Sequence, residues 1–157
     1  MRRLGLRQGW KGSDQIRENA MAHKFLCPVD GTDHAMHAVE LAADMAQRFG
    51  GTLLVCLVNV LMGGGRGPLV HYWNDEDAKA ILDKAVAAAE GRGVKPEGTA
   101  VVLDRDAAAG IVRYAEMNGV DHIVVGTGDK RSLSRLVLGS VAADVVGRAH
   151  CSVTVAR

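Results

Sequence analysis

Between Gly126 and Val141 the chain reads Gly-Thr-Gly-Asp-Lys-Arg-Ser-Leu-Ser-Arg-Leu-Val-Leu-Gly-Ser-Val, set between an apolar strand pattern and a helix pattern. A strand end, a loop of small residues and a helix amino terminus aim unpaired backbone N–H groups and the positive end of the helix dipole at one spot. That spot suits an anion such as phosphate. Glycines let the main chain approach a phosphate closely, and Ser140 is placed either to cap the following helix or to offer its hydroxyl to a phosphate oxygen. The segment lacks the Gly-Lys-Ser/Thr ending of a P-loop, and its glycines do not fit Gly-x-Gly-x-x-Gly.

Other residues with chemical potential are sparse. Asp30 ends an apolar run at Asp30-Gly31-Thr32, where it either faces a cleft or satisfies the turn's own amides as an Asx turn. Asp33, His34 and His37 place two imidazoles three apart near a helix start, a thin ligand set that reads as an exposed first helical turn. His122, on an otherwise apolar strand, reads as a packed, hydrogen-bonded histidine. No nucleophile, base and orienting acid stand in a recognisable set, so no catalytic residue and no enzyme are expected.

The elements that must position these residues alternate from Lys24 onward. Phe25 to Val29 is a strand. Ala35, Ala38, Leu41, Ala42, Met45 and Phe49 then recur at helical spacing until Gly50-Gly51. Leu53 to Val60 is apolar on both faces, as a central parallel strand is. Leu61 to Trp73, with Gly63, Gly64, Gly65, Gly67 and Pro68, reads as a long mobile surface loop or lid. A helix capped by Asn74 or Asp75 ends at Gly91 or Gly93, and a strand over Thr99 to Leu103 follows. Next come a helix from about Ala107 to Asn118 closed by Gly119, a strand over His122 to Val125, a helix over Ser140 to Ala149 and a strand over Cys151 to Ala156. Such alternation means an α/β fold: a five-stranded parallel sheet with helices on both faces, Rossmann-like, with ligands at the carboxyl ends of the strands. Asp30, Val58 and Gly126 all fall near such ends.

The 157 residues, 48% of them hydrophobic, suffice for one domain. Residues 1–22 read as a basic, disordered extension or the product of an upstream start codon, ahead of a single domain over 23–157. A formal net charge of +1 and two residues each of Trp, Tyr and Phe argue against a nucleic-acid partner. No apolar run approaches the roughly 18 residues of a membrane span. Cys27, Cys56 and Cys151 form no Cys-x-x-Cys pair and read as buried reduced thiols of a cytoplasmic protein.

Four stretches in this order resemble the universal stress protein family: Cys27-Pro-Val-Asp-Gly-Thr32, Leu57-Val58, Ile123-Val-Val-Gly-Thr127 and Leu136-Val-Leu-Gly-Ser-Val141. The closing Ala149-His-Cys-Ser-Val-Thr-Val-Ala-Arg157 is similar too. The resemblance covers Lys24 to Arg157. It implies the adenine nucleotide alpha hydrolase-like fold, a homodimer and, in one branch, ATP as ligand. On this chain it carries nucleotide contacts to Pro28 and Val29 near the nucleoside, Asp30, Val58 against adenine, and Gly126, Gly128, Asp129, Gly139, Ser140 and Val141. That branch's motif is Gly, two residues, Gly, nine residues, Gly, then Ser or Thr. Gly126, Gly139 and Ser140 keep its register, but Asp129 occupies the second glycine position and Gly128 stands one place early.

A carboxylate about 4 Å from a phosphate charge opposes binding by roughly 4 kcal/mol. Asp129 turned to solvent, offset by Lys130, Arg131 or Arg135, or bridged by Mg²⁺, escapes that cost. Two functions therefore stand side by side: a stress-response module binding ATP or AMP with little or no hydrolysis, and a dimeric stress-response or interaction protein that has lost the nucleotide. The dimer contact is expected along the uncharged strand Cys151 to Val155.

Overall fold

A computed structural model describes residues 23–127 and 138–157. The elements are β1 (Lys24–Val29), α1 (Asp33–Phe49), β2 (Thr52–Gly63), β3 (Leu69–His71), α2 (Asp75–Gly91), β4 (Gly98–Asp104), α3 (Ala107–Met117), β5 (His122–Gly126), α4 (Ser140–Arg148) and β6 (Ser152–Ala156). Five strands run parallel in the order β4, β2, β1, β5, β6, so β4 and β6 are the edges. The chain winds outward from β1 first to one side and then to the other, which opens a crevice at the carboxyl ends of β1, β2 and β5.

The sheet separates two cores. Phe25, Cys27, Leu53, Val55 and Leu57 point into the layer with α1 and α2. Leu26, Leu54, Cys56 and Ile123 point into the other, against α3 and α4. Alternate side chains of a strand face opposite ways, so strands covered on both faces must be apolar throughout, as β1 is from Phe25 to Val29. Alanines along α1, including Ala35, Ala38, Ala42 and Ala46, bring that helix close to the sheet.

Two expectations need correction. The sheet has six strands, not five, because Leu61–Gly63 and Leu69–His71 pair antiparallel as a hairpin where a structureless loop was expected. Its glycines serve the bend, since Gly63, Gly64 and Gly65 all have positive φ. The hairpin is anchored by Asn59, only 1% exposed, whose side-chain amide exchanges two 2.8 Å hydrogen bonds with the Trp73 main chain. A polar residue inside the apolar β2 run is tolerated because both of its groups are bonded. The last strand also starts one residue later than expected, at Ser152, leaving Cys151 just outside it.

Cys27 and Cys56 are buried and Cys151 is partly so, all three free. Burial pushes the Cys27 thiol well above its ordinary value and the Cys56 thiol up to about 12, so neither is a thiolate at neutral pH.

Candidate functional site

The β1–α1 turn is closed by its own side chains. The Asp30 carboxylate accepts from Thr32 N at 3.0 Å and from the Thr32 hydroxyl at 2.7 Å, an Asx turn. Thr32 Oγ1 in turn accepts from Ala35 N at 3.2 Å and so caps α1. Gly31, at φ +82°, completes the bend. Asp30 is exposed, and Asp33 adds a second carboxylate in the first turn of α1.

The β5–α4 turn is built differently. Thr127 N donates to Ala156 O at 3.2 Å and Gly139 N to Thr127 O at 2.9 Å. Here the structure corrects the sequence: Gly139, not Ser140, is the N-cap of α4, and no side chain caps it. Ser140 is the first helical residue. The first intrahelical bond runs from Ala143 N to Gly139 O, so the amides of Ser140, Val141 and Ala142 have no partner within the helix. Gly126 lets the two turns meet, because a Cβ there would lie 2.7 Å from His34 O. The α3 turn stands beside them. Asp106 caps it through Ala109 N at 2.9 Å and accepts from Arg148 of α4 at 3.2 Å. The Ala109 amide, followed by Arg148, holds the Asp106 carboxyl below the usual range.

Between these turns lies a cleft of about 250 Å³. Pro28, Val29, Asp30, Val58, Gly126, Gly139, Ser140 and Val141, all singled out from sequence, line it together. Gly128 and Asp129 lie outside the described residues, as do Lys130, Arg131 and Arg135. The cleft also holds residues that sequence reasoning missed: Thr32, Ala35, Ile111, Val125, Thr127 and Ala142, with Ala107. A hydroxyl residue immediately before a helical periodicity is a cap signal, so Thr32 was legible; the inward face of α3 was not, without knowing which strand it covers. Chemically the cleft offers a largely apolar lining, the Asp30 carboxylate and the α4 amides that have no partner within the helix.

His34 contacts the cleft residue Thr127, whereas His37 and His122 do not line the cleft. His34 Nδ1 is 3.4 Å from Thr127 Oγ1, His37 is exposed, and among the described residues no group of three or more His, Cys, Asp or Glu could hold a metal. His122 Nε2 bonds Thr154 Oγ1 at 2.8 Å and its ring packs tilted on Phe25; burial, then the nearby His23, lowers its pKa. Arg105 stands in the turn between β4 and α3. The turn is held by Asp106 N donating to Asp104 Oδ1 at 3.1 Å, while Arg105 reaches Gly63 O at 3.0 Å.

Comparison with known proteins agrees with this architecture. The model of the universal stress protein family matches residues 21–157. A universal stress protein of Methanocaldococcus jannaschii is 34% identical over 140 residues, covering 85% of this chain and 81% of that one. A solved universal stress protein of Archaeoglobus fulgidus superposes with a TM-score of 0.69 at 27% identity, over 87% of this chain and 98% of the other. An Archaeoglobus fulgidus universal stress protein in complex with dAMP gives a TM-score of 0.64, also at 27% identity and the same coverage. With its motifs, its sheet order and these likenesses in agreement, the chain belongs to the universal stress protein family.

Proposed function

We propose that this chain is a stress-response module that binds an adenine nucleotide, ATP or AMP, in the cleft at the carboxyl ends of β1, β2 and β5. The observation that carries the reading is the amino terminus of α4, capped by no side chain, meeting a largely apolar cleft that Asp30 also lines. The base packs between Pro28, Val29 and Val58. Asp30 accepts from a hydroxyl or amino group of the nucleoside, and the phosphates sit on the amides of Ser140 and Val141 after Gly126 and Gly139. A related fold holding dAMP supports the class of ligand.

Hydrolysis is slow or absent in this reading, because no described residue is placed to orient an attacking water. Magnesium enters only as the counter-ion of a triphosphate, with Asp129 the sole carboxylate between Gly128 and Val137. The protein works in the cytoplasm as a homodimer through the β6 edge, residues Cys151 to Val155, an uncharged run that no other strand pairs among the described residues beyond β5.

Titration calorimetry with the Asp129→Gly variant, with and without magnesium, tests the ligand. Where charge alone opposes the triphosphate, the variant binds ATP more tightly, by at most about three decades. Where Asp129 bridges to magnesium, it binds more weakly and only with the metal present. Failure of both proteins to bind at millimolar ATP hands the site to the second reading, an interaction protein that has lost its nucleotide.

A further inference from the structure

Thr127 is the first residue beyond β5, and it lines the cleft. Both of its main-chain groups are committed, the N–H to Ala156 O at 3.2 Å and the carbonyl to Gly139 N at 2.9 Å. The second bond ties it to the N-cap of α4, so it stands beside the helix end whose first amides have no partner within the helix. Among the described residues its hydroxyl pairs with His34 Nδ1, at 3.4 Å. His34 lies in the first turn of α1, and both side chains are half-buried. Its main chain is held close to the β5 end as well, because a Cβ on Gly126 would lie 2.7 Å from the His34 carbonyl oxygen.

A threonine hydroxyl has a single proton to donate, and an ionised phosphate oxygen only accepts. That proton cannot serve a bare His34 Nδ1 and a phosphate at once. The ring nitrogen either accepts from the hydroxyl or donates to it, according to its tautomer. Where it accepts, the proton is turned to the ring and the cleft meets only lone pairs. Where it donates, Nδ1–H occupies a lone pair of Oγ1 and the proton is left for the cleft. We propose that Thr127 donates its hydroxyl to the phosphate of the nucleotide beside the α4 amides, and that His34 is the positioning residue that directs it there by donating Nδ1–H to Thr127 Oγ1. The proposal rests on the nucleotide reading of the cleft and adds to it a means of telling a nucleotide from a nucleoside. An alcohol both donates and accepts, so a nucleoside hydroxyl imposes no choice on the pair, whereas a phosphate selects one arrangement and forms the stronger, charge-assisted bond.

Titration calorimetry of AMP and of adenosine tests the pair, with wild type, Thr127→Val, Thr127→Ser, His34→Ala and the double variant of Thr127→Val with His34→Ala. Circular dichroism checks that each folds. Thr127→Val keeps the shape of the side chain and removes the hydroxyl, so it weakens AMP by roughly 10- to 100-fold, the size of a hydrogen bond to a charged group, and leaves adenosine unchanged. Thr127→Ser, which keeps the hydroxyl, keeps AMP affinity. His34→Ala weakens AMP by about 2- to 10-fold. In the double variant that second loss disappears, since the ring acts only through the hydroxyl. A loss from His34→Ala that adds to that of Thr127→Val, or that falls equally on adenosine, overturns the positioning role. AMP binding that Thr127→Val leaves intact overturns the inference and spares the nucleotide reading, whereas a wild type that binds no AMP at millimolar concentration removes both.

Discussion

The turn after β1 and the turn after β5 face the same cleft, yet one satisfies its helix amino terminus internally and the other does not. Thr32 caps α1, Asp30 holds Thr32, and Asp33 adds negative charge, so that corner is complete and repels anions. At α4 the cap is a glycine with no side chain to offer, and the first amides have no partner within the helix. On the proposed function, the difference assigns the phosphate to α4 and the ligand's hydrogen-bond donors to Asp30.

The largest effect tests whether the turns must touch. Gly126→Val drives a side chain into the His34–Ala35 main chain and destabilises the protein by about 1–3 kcal/mol, read from the urea midpoint. An unchanged midpoint means the approach of the two turns is not required. Next, Thr32→Ala removes the α1 cap and costs about 1 kcal/mol, measured the same way. The comparison sharpens with Ser140→Asp. A carboxylate at the uncapped α4 terminus stabilises the ligand-free protein by about 0.3–1 kcal/mol, opposite in sign to the Thr32 change. Two losses of stability would erase the distinction between the turns.

The smallest effect concerns the third turn. The Asp106 carboxyl is held below its unfolded value by the Ala109 amide and Arg148, so its contribution is present above about pH 4 and is lost as pH falls through the folded value. Urea midpoints across that range decline slightly more steeply for wild type than for Asp106→Asn, which keeps the cap but not the charge.

Much of this site was legible in the sequence. β1 and β5 are short runs, apolar after Lys24 and His122, whose ends are marked by Asp30 and Gly126, and parallel winding forces those ends together. The hairpin was not legible, because the Asn59 side chain that anchors it bonds Trp73 fourteen residues away, and no local pattern records such a pairing. Ser140 looked like a cap because its residue type suits one. Gly139 takes that role because its amide is already committed to Thr127, which sets where the helix starts. The amphipathic period of α1 located its inward face, whereas that Ala107 and Ile111 of α3 reach the cleft follows only from the strand this helix covers.

The central claim is that α4 supplies the anion-binding half of a nucleotide site. Titration calorimetry of AMP and of adenosine into wild type and Ser140→Asp addresses it directly. The account predicts that wild type binds AMP more tightly than adenosine, and that Ser140→Asp weakens AMP while leaving adenosine unchanged. Equal responses of the two ligands to the variant, or no binding of AMP at millimolar concentration, would contradict it.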